Sequence, residues 1–222
     1  MSVKVTWLGH ACFLIEAAGR RILTDPFLTG NRLAPVSAAD VAADVILVSH
    51  GHDDHVGDTI AIARRTGALV IANHEIVQWL REQGLARLHA QHVGGSHEHA
   101  FGRLKFTPAW HGSGLPGGRD GGNPVGFLLE VQGRRLYHAG DTGLFSDMAL
   151  IGEGGLDLAI LPIGDNFTMG PDDALRAVKF LRPRHVVPIH YDTFDLIRQD
   201  AQAFAARVAA QTEARVVVLS PG

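Results

Sequence analysis

Six consecutive residues, His50-Gly51-His52-Asp53-Asp54-His55, carry three imidazoles and two carboxylates directly after the apolar run 45–49. In an extended chain, residues two apart project to one side. His50 and His52 are therefore placed to grip one cation, and Gly51 between them lets the backbone pass close to it. The chain then turns toward a helix near Val56, and the turn swings Asp54 and His55 in another direction, toward a second cation. Neutral imidazole and carboxylate suit zinc, manganese, iron or nickel. The competing account is a polar turn in which Asp53 or Asp54 caps the helix, but five ligand-capable side chains in six residues exceed what a cap needs. One loop cannot complete two metal sites, so further ligands must come from elsewhere. His111, Asp141 and His190 each lie just past an expected strand. A carboxylate can bridge two ions, and Asp141 is the best placed for that role.

The elements that must position these residues alternate between β-rich runs and helical patterns. Strands are expected at 3–8, 12–17, 21–24, 45–49, 68–72, 104–110, 125–131, 134–138, 158–163, 185–190 and 215–219. Helices are expected at 56–66, 75–83, 145–152, 171–182 and 195–210. The fourth is the best signalled: Pro171 suits the first helical position, Asp172 and Asp173 the positive end, and Pro183 the stop. Its buried stripe is Leu175, Val178 and Leu181. The run 12–22 also repeats at 126–136 with an offset of 114, from Gly19 to Gly133, and the same offset lays Val45-Ile46-Leu47 on Ala159-Ile160-Leu161. Two like halves imply two sheets packed face to face, helices outside, and loops at one edge meeting in a shared groove.

Composition sets the frame. The 222 residues, 46% hydrophobic and 19% charged, suit a globular fold, read here as one domain over 1–222. A net charge of −3 argues against nonspecific grip on nucleic acid. The single cysteine, Cys12, precludes an internal disulfide and suits a reducing cytoplasm. No signal peptide or membrane span is expected.

These motifs resemble those of the metallo-β-lactamase superfamily, whose signature is His-x-His-x-Asp-His, then a distant His, a bridging Asp and a final His. The resemblance spans nearly the whole chain and implies a four-layer αββα sandwich. It implies that His50, His52 and His111 hold one divalent ion, and Asp54, His55 and His190 a second, with Asp141 between them. Zinc is the first expectation, with manganese, nickel or iron as alternatives. A narrower resemblance, to the small UPF0173-like metal-dependent hydrolases related to ascorbate-6-phosphate lactonases, rests on several segments. They are Trp7-Leu8-Gly9-His10-Ala11-Cys12-Phe13-Leu14-Ile15, Thr24-Asp25-Pro26-Phe27, Ala139-Gly140-Asp141-Thr142, 162–171 and 188–194. The reaction implied is hydrolysis of an ester, lactone, amide or phosphodiester in a small molecule. The alternative is a metal-dependent nuclease, although neither an added arm nor a basic segment is visible. A diiron redox protein with a flavin domain and a non-catalytic metal scaffold fit less well.

Asp54, His10 and Asn166 are the residues expected in catalysis. For His10 a role in the groove and a structural hydrogen-bonding role weigh equally. Asn166 is read as a substrate contact and Thr168 as a turn residue. Asp25 is read as supporting a ligand without being one, and Tyr191 as either an oxyanion donor or a packing residue. His138 and Cys12 are read as buried and structural. His89, His92, His97 and His99 are expected in a surface loop without a third metal. The glycine-rich segment 112–122 reads either as a lid, with Arg119 meeting an anionic substrate, or as an exposed loop. Small molecules are the expected partners, with no nucleic acid and no membrane; a homo-oligomer is compatible with the sequence.

Overall fold

The computed structural model describes residues 2–222. Its first sheet runs β1 (Lys4–Trp7), β2 (Phe13–Ala17), β3 (Arg20–Thr24), β4 (Val45–Leu47), β5 (Leu69–Ala72) and β6 (Leu88–Ala90), in that spatial order. The chain then crosses to β7 (Ser96–His99) and β8 (Gly102–Pro108) of a second sheet. A small hairpin, β9 (Gly114–Leu115) and β10 (Arg119–Asp120), stands apart. It is followed by β11 (Val125–Val131), β12 (Arg134–His138), β13 (Leu156–Pro162), β14 (Pro183–Ile189) and β15 (Arg215–Val216). The second sheet is ordered β15-β14-β13-β12-β11-β8-β7.

The inner faces of both sheets share one core, in which Phe13, Ile15 and Ile22 meet Phe106, Phe127 and Leu129. On the outer face of the first sheet lie α1 (Asp53–Val56), α2 (Thr59–Thr66) and α3 (His74–Glu82), where Ile62, Ile76 and Leu80 close on Ile46 and Val70. α4 (Met148–Gly152), α5 (Pro171–Leu181) and α6 (Ala201–Gln211) belong to the second half, and α5 packs on β13. The expected four layers are present. The stripe Leu175, Val178 and Leu181 is buried as its spacing requires.

The internal repeat is a structural one. Hairpin β2–β3 pairs Phe13 with Thr24, and hairpin β11–β12 pairs Phe127 with His138, the same register 114 residues on. Both turn through two positive-φ residues, Ala18-Gly19 (51° and 70°) and Gln132-Gly133 (50° and 73°), the geometry that matches strand twist. The parallel pairs differ by one residue: Ile22 faces Val45, whereas Leu136 faces Leu158.

Three expectations need correction. The helix expected at 56–66 is two helices, α1 and α2, broken at Gly57, where φ is 35° and a Cβ would lie 2.5 Å from the Pro26 carbonyl oxygen. The helix expected from 195 begins at Ala201, after a single 3₁₀ turn at Asp195–Ile197. Asp200 caps it, its carboxylate accepting from the Gln202 and Ala203 amides. The histidine-rich stretch read as a loop contains two edge strands, β6 and β7. These are only three and four residues long and lack apolar alternation, so no period marked them.

Candidate metal centre

The loop after β4 and the ends of β8, β12 and β14 open on one groove. Three sets of ligand atoms meet there, each set within 4.8 Å of one another: His50, His52 and His111; His10, Asp54, His55 and His190; and His50, His55 and Asp141. All seven residues read as ligands are thus brought together, and His10 joins them. Asp141 is the hub. One oxygen, Oδ2, lies 3.3 Å from His55 Nε2, 3.5 Å from His111 Nε2 and 2.9 Å from His190 Nε2.

Supporting contacts aim the imidazoles. Asp25 is buried, and its carboxylate accepts from the Ser49 amide (2.7 Å), the Ser49 hydroxyl (2.7 Å) and His55 Nδ1–H (3.0 Å). That contact fixes the tautomer whose Nε2 lone pair faces the groove. Ser49 Oγ also sits 3.0 Å from His50 Nδ1. The Thr142 hydroxyl oxygen accepts from the Trp110 amide at 2.9 Å, coupling the segment that bears His111 to the one that bears Asp141. His10 places Nδ1 3.0 Å from Thr193 Oγ1 and Nε2 3.2 Å from Asp54 Oδ2. The neutral tautomer serving both accepts from the Thr193 hydroxyl and donates Nε2–H to Asp54. His10, Asp25 and His190 all hold left-handed backbone, with φ of 55°, 37° and 55°. Such strain persists where the surroundings over-determine it.

The donor set has the protonation a cation needs. Burial pushes His50 well below the usual histidine range, lowers His111, and takes His10 down to about 4, so these rings are neutral at pH 7. Burial would raise the carboxyl pKa values of Asp141 and Asp54, but the neighbouring histidines outweigh it and hold both low. Burial would likewise lower His55, yet the Asp141 and Asp25 carboxylates pull it well upward. Two buried carboxylates converging on one imidazole define a place where positive charge is favoured. Asp141 Oδ1 and His55 Nε2 are buried without hydrogen-bond partners. Neutral rings at His50 and His111, ionised carboxylates, a His55 position that favours positive charge and unpartnered polar atoms together fit divalent metal binding.

Other expectations resolve individually. Asn166 lies on an exposed turn with φ of 49°, its amide donating to Asp165, and it is not among the residues gathered around Asp141. The Thr168 hydroxyl turns to the Met169 carbonyl. Tyr191 is a packing residue, its ring stacked on Trp7 at 5.7 Å. His138 is structural: Nε2–H donates to the Ala11 carbonyl (3.0 Å) and Nδ1 accepts from the Gly140 amide (3.1 Å), bridging the two sheets. Cys12 is fully buried.

The 112–122 segment is a pinned hairpin. Arg119 pairs with Glu82 of α3, Asn73 donates to the carbonyls of Gly121 and Asn123, and the Ser113 hydroxyl accepts from the Gly51 amide. Gly51 is needed for a reason other than the one its place between two ligands suggests: a Cβ there would meet Leu115 at 3.0 Å. Ser49, Thr193 and the aromatic pair Phe27–Phe194 (6.1 Å), which flanks His10, were not marked as site residues. Ser49, Thr193 and Phe194 could have been signalled only by their closeness in sequence to His50 and His190; Phe27 had no such signal.

With this geometry established, comparison with known proteins is decisive. The beta-lactamase superfamily domain matches residues 4–190, and the chain belongs to that family. Within it, the chain is a metal-dependent hydrolase. It is 53% identical over 225 residues to a UPF0173 metal-dependent hydrolase of Pelotomaculum thermopropionicum, covering 99% of this chain and 98% of the relative. It is 52% identical to one from Thermus thermophilus, covering 92% and 91%. Among solved structures, Igni18, a metallo hydrolase from Ignicoccus hospitalis, matches with a TM-score of 0.91 at 38% identity, covering 99% of this chain and 96% of that one. An isothiocyanate hydrolase from Delia radicum gut bacteria shares the fold, at a TM-score of 0.76 and 20% identity, covering 98% and 96%. Among the described residues, no helix is long and apolar enough to cross a membrane.

Proposed function

We propose that the groove is a dinuclear hydrolytic centre acting on an ester, lactone, amide or phosphodiester bond of a small molecule. His50, His52 and His111 would hold one divalent ion, zinc foremost, and Asp54, His55 and His190 the other, with Asp141 between them. The observation that carries this reading is the single Asp141 oxygen within 3.5 Å of His55, His111 and His190, one ligand of the first set and two of the second. Such a pair supplies, when bound, a water ionised near neutral pH and electrophilic stabilisation of developing negative charge.

The protein's own groups do the rest. Asp25 and Ser49 hold His55 and His50 in the tautomers that present Nε2. His10 holds Asp54 through Nε2–H and acts as a positioning residue. Phe27 and Phe194 stack beside His10, and Trp110 beside His111 is exposed, so the rim favours a substrate with an apolar portion. Asn166, two residues beyond Gly164, which packs on His190, is assigned a substrate contact. A reducing cytoplasm suits the single buried cysteine.

The test is turnover of the metal-reconstituted protein on lactones, phosphodiesters, thioesters and β-lactams, with metal content measured in parallel. Asp54→Ala and His190→Ala should each lose one ion and at least about a hundredfold in rate, more than changes behind the ligands typically cost. Full metal content and turnover in either variant would refute the assignment.

A further inference from the structure

A second histidine cluster lies outside the groove. His89 on β6 and His97 and His99 on β7 bring their ring centroids to within 4.6 Å (His89–His97), 4.9 Å (His89–His99) and 4.6 Å (His97–His99). Their ligand atoms lie within 4.8 Å of one another, the same bound met by His50, His52 and His111. His97 and His99 are two apart on one strand and so share a face, the device His50 and His52 also use. We infer that His89, His97 and His99 form a separate site for a divalent transition-metal ion of the imidazole-preferring class, such as zinc, nickel, copper or cobalt.

Three further observations support it. His99 is held in orientation by stacking on Phe101, at 5.0 Å and 6°, and its Nε2 is buried with no hydrogen-bond partner. Desolvation and the mutual repulsion of the rings lower His89, and take His99 down to about 4, so lone pairs are free at neutral pH. No carboxylate ion-pairs with any of the three among the described residues. His92, their neighbour in sequence, turns away to Glu75 and His74. Tetrahedral coordination by imidazole at about 2.0–2.1 Å needs donor separations of about 3.4 Å, which rotation of the side chains supplies. His97 is exposed, leaving a fourth position for water.

The place gives the ion a role. β6 is the last strand of the first sheet and β7 the last of the second. No strand pairing joins them, and residues 91–95 cross between the two. An ion on His89, His97 and His99 would clamp the open edges of the two sheets together. With three imidazoles and no carboxylate among the clustered ligand atoms, and with Glu98 paired to Arg103, the site is structural.

The experiment strips the metal with a chelator, reloads with excess Co2+, desalts, and counts bound equivalents by elemental analysis. It is made in a His111→Ala/His190→Ala chain, which lacks one ligand of each proposed groove ion, so that the result does not depend on how many ions the groove holds. That chain should retain an equivalent with the visible absorption of cobalt bound by nitrogen. Adding His97→Ala should remove that equivalent, and adding His97→Phe, which keeps ring packing but offers no ligand atom, should remove it too. At a hundredfold excess over Kd, Co2+ should raise Tm by about 5–10 °C only where His97 is present. An equivalent count and a Tm response unchanged by His97→Phe would overturn the inference, leaving the cluster as stacked rings. So would a groove variant that binds no Co2+.

Discussion

Asp25→Asn probes the reasoning about the groove most sharply, because it keeps the shape of the side chain and changes only its hydrogen-bonding sense. The buried carboxylate now accepts three hydrogen bonds, from the Ser49 amide, the Ser49 hydroxyl and His55 Nδ1–H. An amide offers one acceptor atom and one donor atom. If its NH2 faces His55, Nδ1 must become the acceptor, and Nε2 then carries the proton where a lone pair is needed. If its oxygen faces His55, the NH2 opposes the Ser49 amide, donor against donor. Either orientation leaves one buried mismatch, at about 1–3 kcal/mol. That corresponds to roughly 5- to 150-fold in affinity for the ion His55 helps to hold, with the ion on His50, His52 and His111 affected much less. Competition with a chromophoric chelator in a His97→Ala background measures the two affinities separately. Equal affinity of the Asp25→Asn variant and its parent for both equivalents, in protein of unchanged fold, would show that the buried carboxylate does not set the tautomer of His55.

His138→Phe leaves the Gly140 amide without a partner, at about 1–3 kcal/mol, and takes one of two donors from the Ala11 carbonyl, which keeps the Thr24 hydroxyl. Burial depresses the native His138 pKa, so the unfolded chain takes up a proton that the folded one refuses. Its share of stability is complete above pH 6.5 and declines below it, by at most about 1.4 kcal/mol per pH unit. Denaturant titrations from pH 8 to 5 should show a flatter decline in the variant, and parallel curves would contradict the assignment. Gly51→Ala drives a Cβ against Leu115, costing about 1–3 kcal/mol. The variant should be cleaved faster by protease within 112–122; unchanged cleavage would mean the hairpin is not pinned there.

The clustering of the groove residues was legible because their residue types are few, strongly biased and placed at strand ends, where side-chain period and turn position constrain direction. His50 through His55 needed only local geometry, and the duplicated hairpin was visible as sequence because both copies keep the same two-residue turn. What escaped notice depends on residues far apart in the chain. Gly57 breaks a helix because the Pro26 carbonyl arrives beside it. Arg119 is paired because Glu82 of α3 lies beside it. The strands β6 and β7 carry too few apolar residues to show a period, and the meeting of His89 with His97 and His99 exists only once both are placed at the rims of their sheets.

The seven proposed groove ligands are divided between the two halves, four from the loop after β4 and three from the ends of β8, β12 and β14. Catalytic alignment is therefore hostage to the slab of side chains between the sheets. A substitution at Phe13 or Phe106 that slid one sheet against the other by an ångström would carry three ligands past the other four, and misplacement on that scale can cost roughly a hundredfold in rate. Evolution at those apolar positions is thus answerable to chemistry that takes place well away from them.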